Sequence, residues 1–328
     1  MNLKNKSVVV TGGAGFIGSH LVDLLIKYDP EKLIVLDNFF LGTLDNLTNA
    51  KKEYPSLNII NQDITELIAV KKIIEANSVD VVFNLACIPL PASLEKPEWS
   101  YEQNVKMTLN LCELMRKGLF DTLIQFSSSE VYGSALYVPM NESHPQRPMT
   151  PYAASKLAAD CLAISYYETF GMDISIPRPF NNFGPRQNDK NYAGVIPLTI
   201  KRILRGENPI IYGDGSQTRD FIFVEDTTKA IMEIYMLKIT RGKIINIGSG
   251  QEVQIKKLIE LITNLMGSKL KIEYKPSRPG DVKRHKADIS LAKKLINFKT
   301  NTDLDTGLRK VIEYFNSRNY SQSVISGN

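Results

Sequence analysis

Tyrosine and lysine stand four residues apart in the segment Tyr152-Ala153-Ala154-Ser155-Lys156. On a helix, residues i and i+4 lie on the same face, so the lysine ammonium group is expected beside the phenol. This positive charge would lower the pKa of the tyrosine towards neutrality. Tyr152 is therefore predicted to be a general base, although a YxxxK segment taken alone is more often a surface pair.

A glycine cluster supplies the second chemical signal. It follows the apolar run Val8–Val10 and precedes an amphipathic helical stripe, and its spacing is GxxGxxG: Gly12, Gly15 and Gly18. Glycine allows a tight turn and a close approach of the backbone, and the helix N-terminus offers N–H groups to a pyrophosphate. In this strand–turn–helix context the cluster predicts a dinucleotide site.

Asp37 ends the second apolar run of the sequence. A carboxylate at this point can accept hydrogen bonds from both adenosine ribose hydroxyls and repels a 2′-phosphate. No arginine follows it directly, so NAD is predicted rather than NADP; the alternative is a solvated carboxylate at a strand end. The oxidised nicotinamide of NAD would act together with Lys156 in lowering the pKa of Tyr152. Asp63, which ends the third run, is a weaker candidate for contacting the adenine.

Apolar, β-branched runs alternate with amphipathic segments through the first half of the chain. Five of them are predicted strands: Val8–Val10, Leu33–Leu36, Asn58–Ile60, Val79–Leu85 and Leu123–Phe126. Such runs are typical of parallel strands that helices cover on both faces. The pattern predicts an α/β fold with a Rossmann-type, doubly wound parallel sheet.

Near Pro177 the regular alternation of apolar runs and amphipathic segments ends, and stretches rich in proline, glycine and asparagine separate shorter elements. We predict an NAD-binding domain made of residues 1–177 and about 220–250, with Phe221–Tyr235 and Ile244–Ile247 returning to the sheet domain. A smaller C-terminal α+β domain, made of residues about 178–219 and 251–328, is predicted to bind the substrate.

Composition excludes several classes of protein. The 328 residues are 43% hydrophobic, which suits a folded chain of about two domains, and the scattered net charge of +5 gives no reason to expect nucleic-acid binding. Three cysteines and three histidines lie far apart, so neither a disulfide framework nor a metal site is predicted. Without a signal peptide or a long apolar run, the protein is predicted to be cytoplasmic and not bound to membranes.

Between about residue 6 and about residue 315, the chain resembles the extended short-chain dehydrogenase/reductases of the nucleotide-sugar epimerase/dehydratase type. The resemblance rests on Thr11–Gly18, Asp37, Asn104, Ser128–Gly133, Tyr152–Lys156, Arg178–Asn181, Tyr212–Gly215, Arg219–Phe221 and Arg278–Asp281. It implies NAD as cofactor and a nucleotide sugar, with UDP or dTDP favoured, as substrate.

The resemblance also implies roles for individual residues. Tyr152 would be the base for the sugar C4 hydroxyl, Lys156 would hold Tyr152 and the nicotinamide ribose, and Ser128 would bridge the phenol and the sugar. The implied cofactor-binding residues are Gly12, Gly15, Phe16, Ile17, Gly18, Asp37, Asn38, Asp63, Ile64, Leu85, Ala86, Asn104, Tyr152 and Lys156. The implied substrate-binding residues are Ser129, Asn181, Val195, Tyr212, Arg219, Arg278 and Asp281.

Among the substrate-binding residues, Asn181, Arg219 and Arg278 would hold the pyrophosphate, a task that suits the arginine fork. Tyr212 would lie near the base. For the arginines, the alternative is surface ion pairing. Cys87 stands where the family usually has a small residue, and we interpret it as a packed thiol because no histidine lies near it in sequence.

Glu130 bears on the type of reaction. Simple 4-epimerases of the family commonly carry an uncharged residue there, whereas hexose 4,6-dehydratases and UDP-glucuronate decarboxylases carry glutamate. A carboxylate beside a 4-keto sugar can take the C5 proton, which the ketone acidifies. Ser129 replaces the acid that some dehydratases use, so Glu130 would serve as both base and acid. The alternative is that Glu130 caps or pairs locally.

A nucleotide-sugar 4,6-dehydratase is therefore the preferred prediction. A UDP-sugar 4-epimerase comes next and a UDP-glucuronate decarboxylase third. A non-catalytic NAD-binding protein is a remote alternative that the intact Ser128, Tyr152 and Lys156 disfavour.

Two segments predict a homodimer, because each is apolar around more than one helical stripe. They contain Val105, Leu109, Cys112, Leu114 and Met115 in one case and Leu157, Cys161, Leu162 and Ile164 in the other. Burial within a single chain is the alternative.

Overall fold

Strands and helices alternate through most of the chain. The computed structural model describes residues 2–278 and 280–325, with side chains as far as residue 318. The strands are β1 (Ser7–Thr11), β2 (Lys32–Asp37), β3 (Asn58–Asn61), β4 (Val81–Asn84), β5 (Thr122–Gln125), β6 (Asp173–Pro179), β7 (Asn181–Phe183), β8 (Ile210–Tyr212), β9 (Thr218–Arg219), β10 (Phe221–Phe223), β11 (Ile244–Ile247), β12 (Val253–Gln254) and β13 (Glu273–Lys275). The helices are α1 (Phe16–Ile26), α2 (Thr48–Glu53), α3 (Leu67–Asn77), α4 (Leu90–Glu95), α5 (Pro97–Arg116), α6 (Pro151–Phe170), α7 (Val195–Leu204), α8 (Val224–Met236), α9 (Ile255–Leu265), α10 (Ser290–Ile296) and α11 (Leu304–Ile325).

Seven parallel strands form the central sheet, in the order β11-β6-β5-β4-β1-β2-β3. Successive side chains of a strand point to opposite faces, and each face has its own apolar core. Val8 and Val10 join a cluster with Leu21 of α1, and Val9 joins another with Leu111 of α5. Both faces are therefore covered, and the predicted doubly wound α/β fold is confirmed.

The five predicted strands are present, but β6 was not predicted. Pro177 and Pro179 interrupt its apolar run, and proline is rare inside a sheet because it lacks the N–H donor. The predicted domain boundary at residue 177 therefore falls within a strand. Of the two segments expected to return to the sheet domain, Ile244–Ile247 joins the sheet as β11. The segment Phe221–Tyr235 forms β10, which pairs with β7, and most of α8, whose Ile231 and Ile234 lie in the same apolar cluster as Val8.

A third apolar cluster lies among the later elements. It contains Phe183, Ile196, Ile211, Leu258 and Leu308, and three two-stranded sheets accompany it: β7 with β10, β8 with β13 and β9 with β12. We propose that this cluster is the core of the smaller substrate-binding domain. No helix within residues 2–278 and 280–325 is long and apolar enough to cross a membrane.

Candidate active site

A cavity of about 400 Å³ lies at the carboxyl ends of the parallel strands. Residues that follow β1, β2, β3, β4 and β5 line it, and the end of β6 and the segment after it contribute Pro179, Phe180, Asn181, Asn182, Arg186 and Asn188. Every residue predicted to bind the cofactor lines this cavity except Asn104. We call it the cofactor cavity.

Two glycines of the β1–α1 turn cannot be replaced without a collision. Gly12 has φ +65°, and a Cβ there would lie 2.8 Å from the backbone N of Ala86. A Cβ on Gly18 would lie 2.1 Å from the carbonyl oxygen of Gly12. The turn therefore packs tightly under the N-terminus of α1, which begins at Phe16 and has no acidic residue in its first turn. These features fit a pyrophosphate.

Asp37 is fixed by backbone donors at the end of β2. Its two oxygens accept hydrogen bonds from the N–H groups of Ala14 (2.9 Å) and Phe39 (2.8 Å). Burial raises the pKa of Asp37, and the two N–H donors oppose that change. Each oxygen accepts one backbone hydrogen bond, and a carboxylate oxygen can accept a second from a ribose hydroxyl.

Asp63 lies on the same wall of the cavity. Burial raises its pKa, but hydrogen bonds from Thr65 and Asn38 outweigh burial, and the net pKa of Asp63 is below its ordinary value. Asp63 and Asn38 are thus linked to each other beside Asp37, as expected for two residues at neighbouring strand ends.

Asn104 lies beneath the cavity. Its amide exchanges hydrogen bonds with the backbone of Ile88 and donates to the hydroxyl of Ser155 (2.9 Å), which lies on α6 between Tyr152 and Lys156. Asn104 therefore ties the loop after β4 to the helix that carries the tyrosine. Its contact with NAD stays a prediction.

Tyr152, Lys156 and Ser128 come together at one end of the cofactor cavity, as predicted. The Lys156 ammonium group donates to the carbonyl of Phe126, the residue directly after β5. Burial raises the pKa of Tyr152; Cys87, Glu130 and Asp160 add to that effect, and the Ser128 hydroxyl opposes it. The groups of the protein therefore raise the pKa of Tyr152 overall. The lowering predicted from the sequence depended on an oxidised nicotinamide as well as on Lys156.

Cys87 lines the same end of the cavity. Burial raises the pKa of its thiol, and Lys156 partly opposes that effect. A thiol with a raised pKa is a poor nucleophile, which agrees with a packed side chain.

A second cavity, of about 580 Å³, lies in the region of the third apolar cluster; we call it the outer cavity. Six of the predicted substrate-binding residues line it: Asn181, Val195, Tyr212, Arg219, Arg278 and Asp281. The sequence reasoning missed further cations on its wall, which are Lys190, Lys201, Arg202 and Arg205. Three of these lie on or directly after α7, close behind the predicted Val195. Asp189 and Glu207 share the wall and pair with Lys201 and Arg202, but the six cations outnumber the three carboxylates, so the outer cavity is suited to a polyanion.

The two predicted arginines are held differently. Arg219 forms an ion pair with Asp281 and donates to the carbonyls of Val282 (2.6 Å) and Thr218 (2.9 Å). Arg278 stacks on the ring of Tyr212, with the guanidinium carbon 3.8 Å from the ring centroid. Pro279 of the same motif lies outside the described residues.

Glu130 lines a third cavity of about 380 Å³, which shares Lys190, Arg219, Arg278 and Asp281 with the outer cavity. Burial raises the pKa of Glu130; Arg219 opposes this effect and Asp281 adds to it. Ser129, which precedes it, is buried and lines none of these three cavities. Its predicted contact with substrate stays a prediction.

Comparison with known proteins gives one consistent family. The family model described as GDP-mannose 4,6 dehydratase matches residues 9–311. A putative UDP-glucose 4-epimerase of Methanocaldococcus jannaschii is 37% identical over 95% of this chain and 99% of its own length. UDP-glucuronic acid decarboxylase 6 of Arabidopsis thaliana is 34% identical over 96% of this chain and 90% of its own.

A solved structure agrees. It is the structure of the dTDP-glucose 4,6-dehydratase DesIV from Streptomyces venezuelae with NAD bound. Its sequence is 28% identical to this chain, and the two structures superimpose with a TM-score of 0.90 over 96% of this chain and 98% of DesIV. The chain belongs to the extended short-chain dehydrogenase/reductases of the nucleotide-sugar epimerase/dehydratase family, and its cofactor is NAD.

Proposed function

We propose that this enzyme is a nucleotide-sugar 4,6-dehydratase, which oxidises C4 of a UDP- or dTDP-hexose and then eliminates water across C5 and C6. The observation that carries the proposal is the position of Glu130. Its carboxylate lines a cavity that continues from the arginine-lined outer cavity, and its pKa is raised by burial. A carboxylate in that place can reach a sugar whose pyrophosphate lies on Arg219 and Arg278.

At C4, the chain's own residues move one proton. Tyr152 takes the proton of the C4 hydroxyl, Ser128 holds the phenol and the sugar oxygen, and the Lys156 charge favours the phenolate. Bound NAD would accept the C4 hydride and would return it to C6 after water has left, while C5 would take a proton from solvent; the reaction is therefore redox-neutral overall.

At C5, the new ketone acidifies the adjacent C–H bond. Glu130 takes the C5 proton, the C6 hydroxyl leaves, and the protonated Glu130 returns the proton to that hydroxyl, so that one molecule of water is lost. A carboxyl group with a raised pKa is suited to both roles near neutral pH. Since Ser129 is buried outside the three cavities, Glu130 performs both in this proposal.

A UDP-sugar 4-epimerase is the second candidate, and the name of the relative from Methanocaldococcus jannaschii favours it. An epimerase needs no group at C5. A UDP-glucuronate decarboxylase, the reaction named for the Arabidopsis thaliana relative, would use a protonated Glu130 to return a proton to C5.

The test is turnover of a panel of UDP-, dTDP-, GDP- and CDP-sugars in heavy water, followed by mass analysis and NMR. We expect loss of water and deuterium at C5. Glu130→Gln should oxidise the sugar, accumulate bound NADH and release little product. Glu95→Gln is the matched control, because Glu95 lines the same cavity but its Oε2 accepts a hydrogen bond from the Tyr192 hydroxyl (2.7 Å).

Each alternative reaction predicts a different outcome of this experiment. An unchanged mass with inverted C4 and no C5 deuterium, unaffected by Glu130→Gln, would establish an epimerase and overturn the proposal. Loss of carbon dioxide would establish a decarboxylase. Retained C4 oxidation in Tyr152→Phe, where a loss on the order of 10²–10⁴-fold is expected, would remove Tyr152 as the base.

We also propose a homodimer built on α5 and α6. Cys112, Leu114 and Met115 are buried within the chain's own core and cannot contribute. Leu109 and Cys161 are exposed, and Val105, Leu157, Leu162 and Ile164 are half-buried, which leaves an apolar surface for a second copy. A monomeric mass by light scattering would contradict this proposal.

A further inference from the structure

Arg178 of β6 is buried completely, although it carries a charge that no predicted role explains. Its Nη2 lies 2.7 Å from Oδ2 of Asp160, which is also buried. The Ser127 hydroxyl lies between them: it accepts from Nε of Arg178 (3.2 Å) and donates to Asp160. The three side chains form a closed triangle beneath the cofactor cavity.

Each element that carries a reacting group is tied to this triangle. Ser127 directly precedes Ser128, and the carbonyl of Phe126, on its other side, accepts the Lys156 ammonium group. Asp160 lies one turn after Lys156 on α6, and the backbone N–H of Ser127 donates to the carbonyl of Pro177 (2.9 Å). Phe126 and Ser127, the two residues directly after β5, thus join α6 and β6.

The segment that carries Glu130 is tied to the same guanidinium group. The Arg178 guanidinium carbon lies 4.7 Å from the centroid of the Tyr132 ring, and Tyr132 belongs to the 3₁₀ turn Ser129–Tyr132. The Tyr132 hydroxyl in turn donates to Asn246 of β11 (2.8 Å). Arg178 therefore contacts two segments of the site. One is α6, which carries Tyr152 and Lys156, and the other is the segment after β5, which carries Ser128 and Glu130.

Stability alone is a weak reason to keep these charges. A buried ion pair can often be replaced by apolar residues of similar volume without loss of stability, whereas removal of one partner is strongly destabilising. Among the described residues, Nη1 of Arg178 and Oδ1 of Asp160 have no hydrogen-bond partner, so the pair is incompletely satisfied. The geometry of the triangle, which fixes three elements at once, offers a better reason.

We propose that Arg178, paired with Asp160 through Ser127, is a positioning residue that holds the C4 base and the C5 acid–base group in register. The inference rests on the proposed role of Tyr152 as base. It has an electrostatic consequence, because Asp160 raises the pKa of Tyr152 and Arg178 neutralises that charge. The other groups that face the phenol are Lys156 on α6, Cys87 after β4, and Ser128 and Glu130 after β5.

The test is a cycle of Arg178→Met, Asp160→Asn and the double variant, each with NAD bound. The tyrosinate absorbance is titrated, and the Tyr152→Phe spectrum is subtracted to isolate Tyr152. Arg178→Met leaves the negative charge and should raise the pKa of Tyr152 by about half a unit, whereas Asp160→Asn should lower it by about as much. The double variant should titrate like the parent.

Turnover supplies the positional readout. With the nucleotide sugar that the panel identifies, the double variant and Ser127→Ala should lose roughly tenfold in kcat with little change in KM, since the outer cavity is untouched. Asp173→Asn is the matched control: Asp173 pairs with Arg241 at the other end of β6 and should leave titration and kcat unchanged.

Opposite pKa shifts with a lowered kcat would support the proposal. If single variants fail to fold, the double variant and Ser127→Ala decide it, and parental kcat in both would overturn it. Equal titration in folded single variants would also overturn it. A Tyr152→Phe enzyme that still oxidises C4 would refute the base itself, which is a failure of the proposed function and not of the network.

Discussion

The cofactor cavity and the outer cavity are lined by different kinds of groups. The cofactor cavity consists largely of glycines, strand ends and a carboxylate fixed by backbone N–H groups. The outer cavity consists of long charged side chains, among which Arg219 is paired with Asp281 and Arg278 stacks on Tyr212. Backbone can be displaced only by moving whole elements, whereas such side chains change rotamer. This difference suits a family in which relatives named for different reactions share one fold.

Gly18→Ala, in the wall of the cofactor cavity, should have the largest effect on ligand binding. The added Cβ would lie 2.1 Å from the carbonyl oxygen of Gly12, so the turn must move away from the pyrophosphate position. We expect NAD affinity to fall on the order of a hundredfold, about 2.8 kcal/mol, by calorimetry. Gly118→Ala is the control for backbone strain without a collision, because Gly118, unlike Gly18, has a positive φ (+74°) but nothing lies within 4 Å of its added Cβ. Unchanged NAD affinity in Gly18→Ala would show that the turn adapts.

Arg278→Met and Arg219→Met should separate the two modes of holding a cation in the outer cavity. Arg278 is exposed, so its loss should raise KM for the nucleotide sugar roughly tenfold and leave thermal stability unchanged. Arg219 is nearly buried, and its loss leaves Asp281 unpaired, so KM should rise and the free energy of unfolding should fall by about 1–3 kcal/mol. Equal melting temperatures for both variants would contradict the distinction.

Asp37→Asn should have the smallest effect. The amide keeps the shape of the carboxylate but directs one N–H group towards a backbone donor, either Ala14 or Phe39. We expect NAD affinity to fall about tenfold and the preference over NADP to shrink, since the repelling charge is gone. Titration with both cofactors measures this effect, with Asp63→Asn for comparison. If Asp37→Asn kept the full preference for NAD, another group would determine it.

The sequence-based predictions succeeded where short segments determine the geometry. The turn from Gly12 to Gly18 depends on local backbone, and Asp37 and Asp63 end parallel strands, whose carboxyl ends lie at one edge of a sheet. The strand β6 was missed because Pro177 and Pro179 obscure its pattern. The contacts of Asn104 and Ser129 depend on which side of a helix or a 3₁₀ turn faces the cavity, and packing from distant elements decides that.

The sequence by itself determined the doubly wound fold, the glycine turn and the placement of Tyr152 and Lys156 one turn apart on a helix, because periodicity, glycine conformations and i,i+4 spacing are local properties. Only the tertiary structure decided that Glu130 lines a cavity beside Arg219 whereas Ser129 does not. It also placed the buried Arg178 against Asp160 and Ser127, which lie 18 and 51 residues away along the chain. Such contacts join separate elements, and their geometry follows from packing across the sheet, which no spacing in the sequence records.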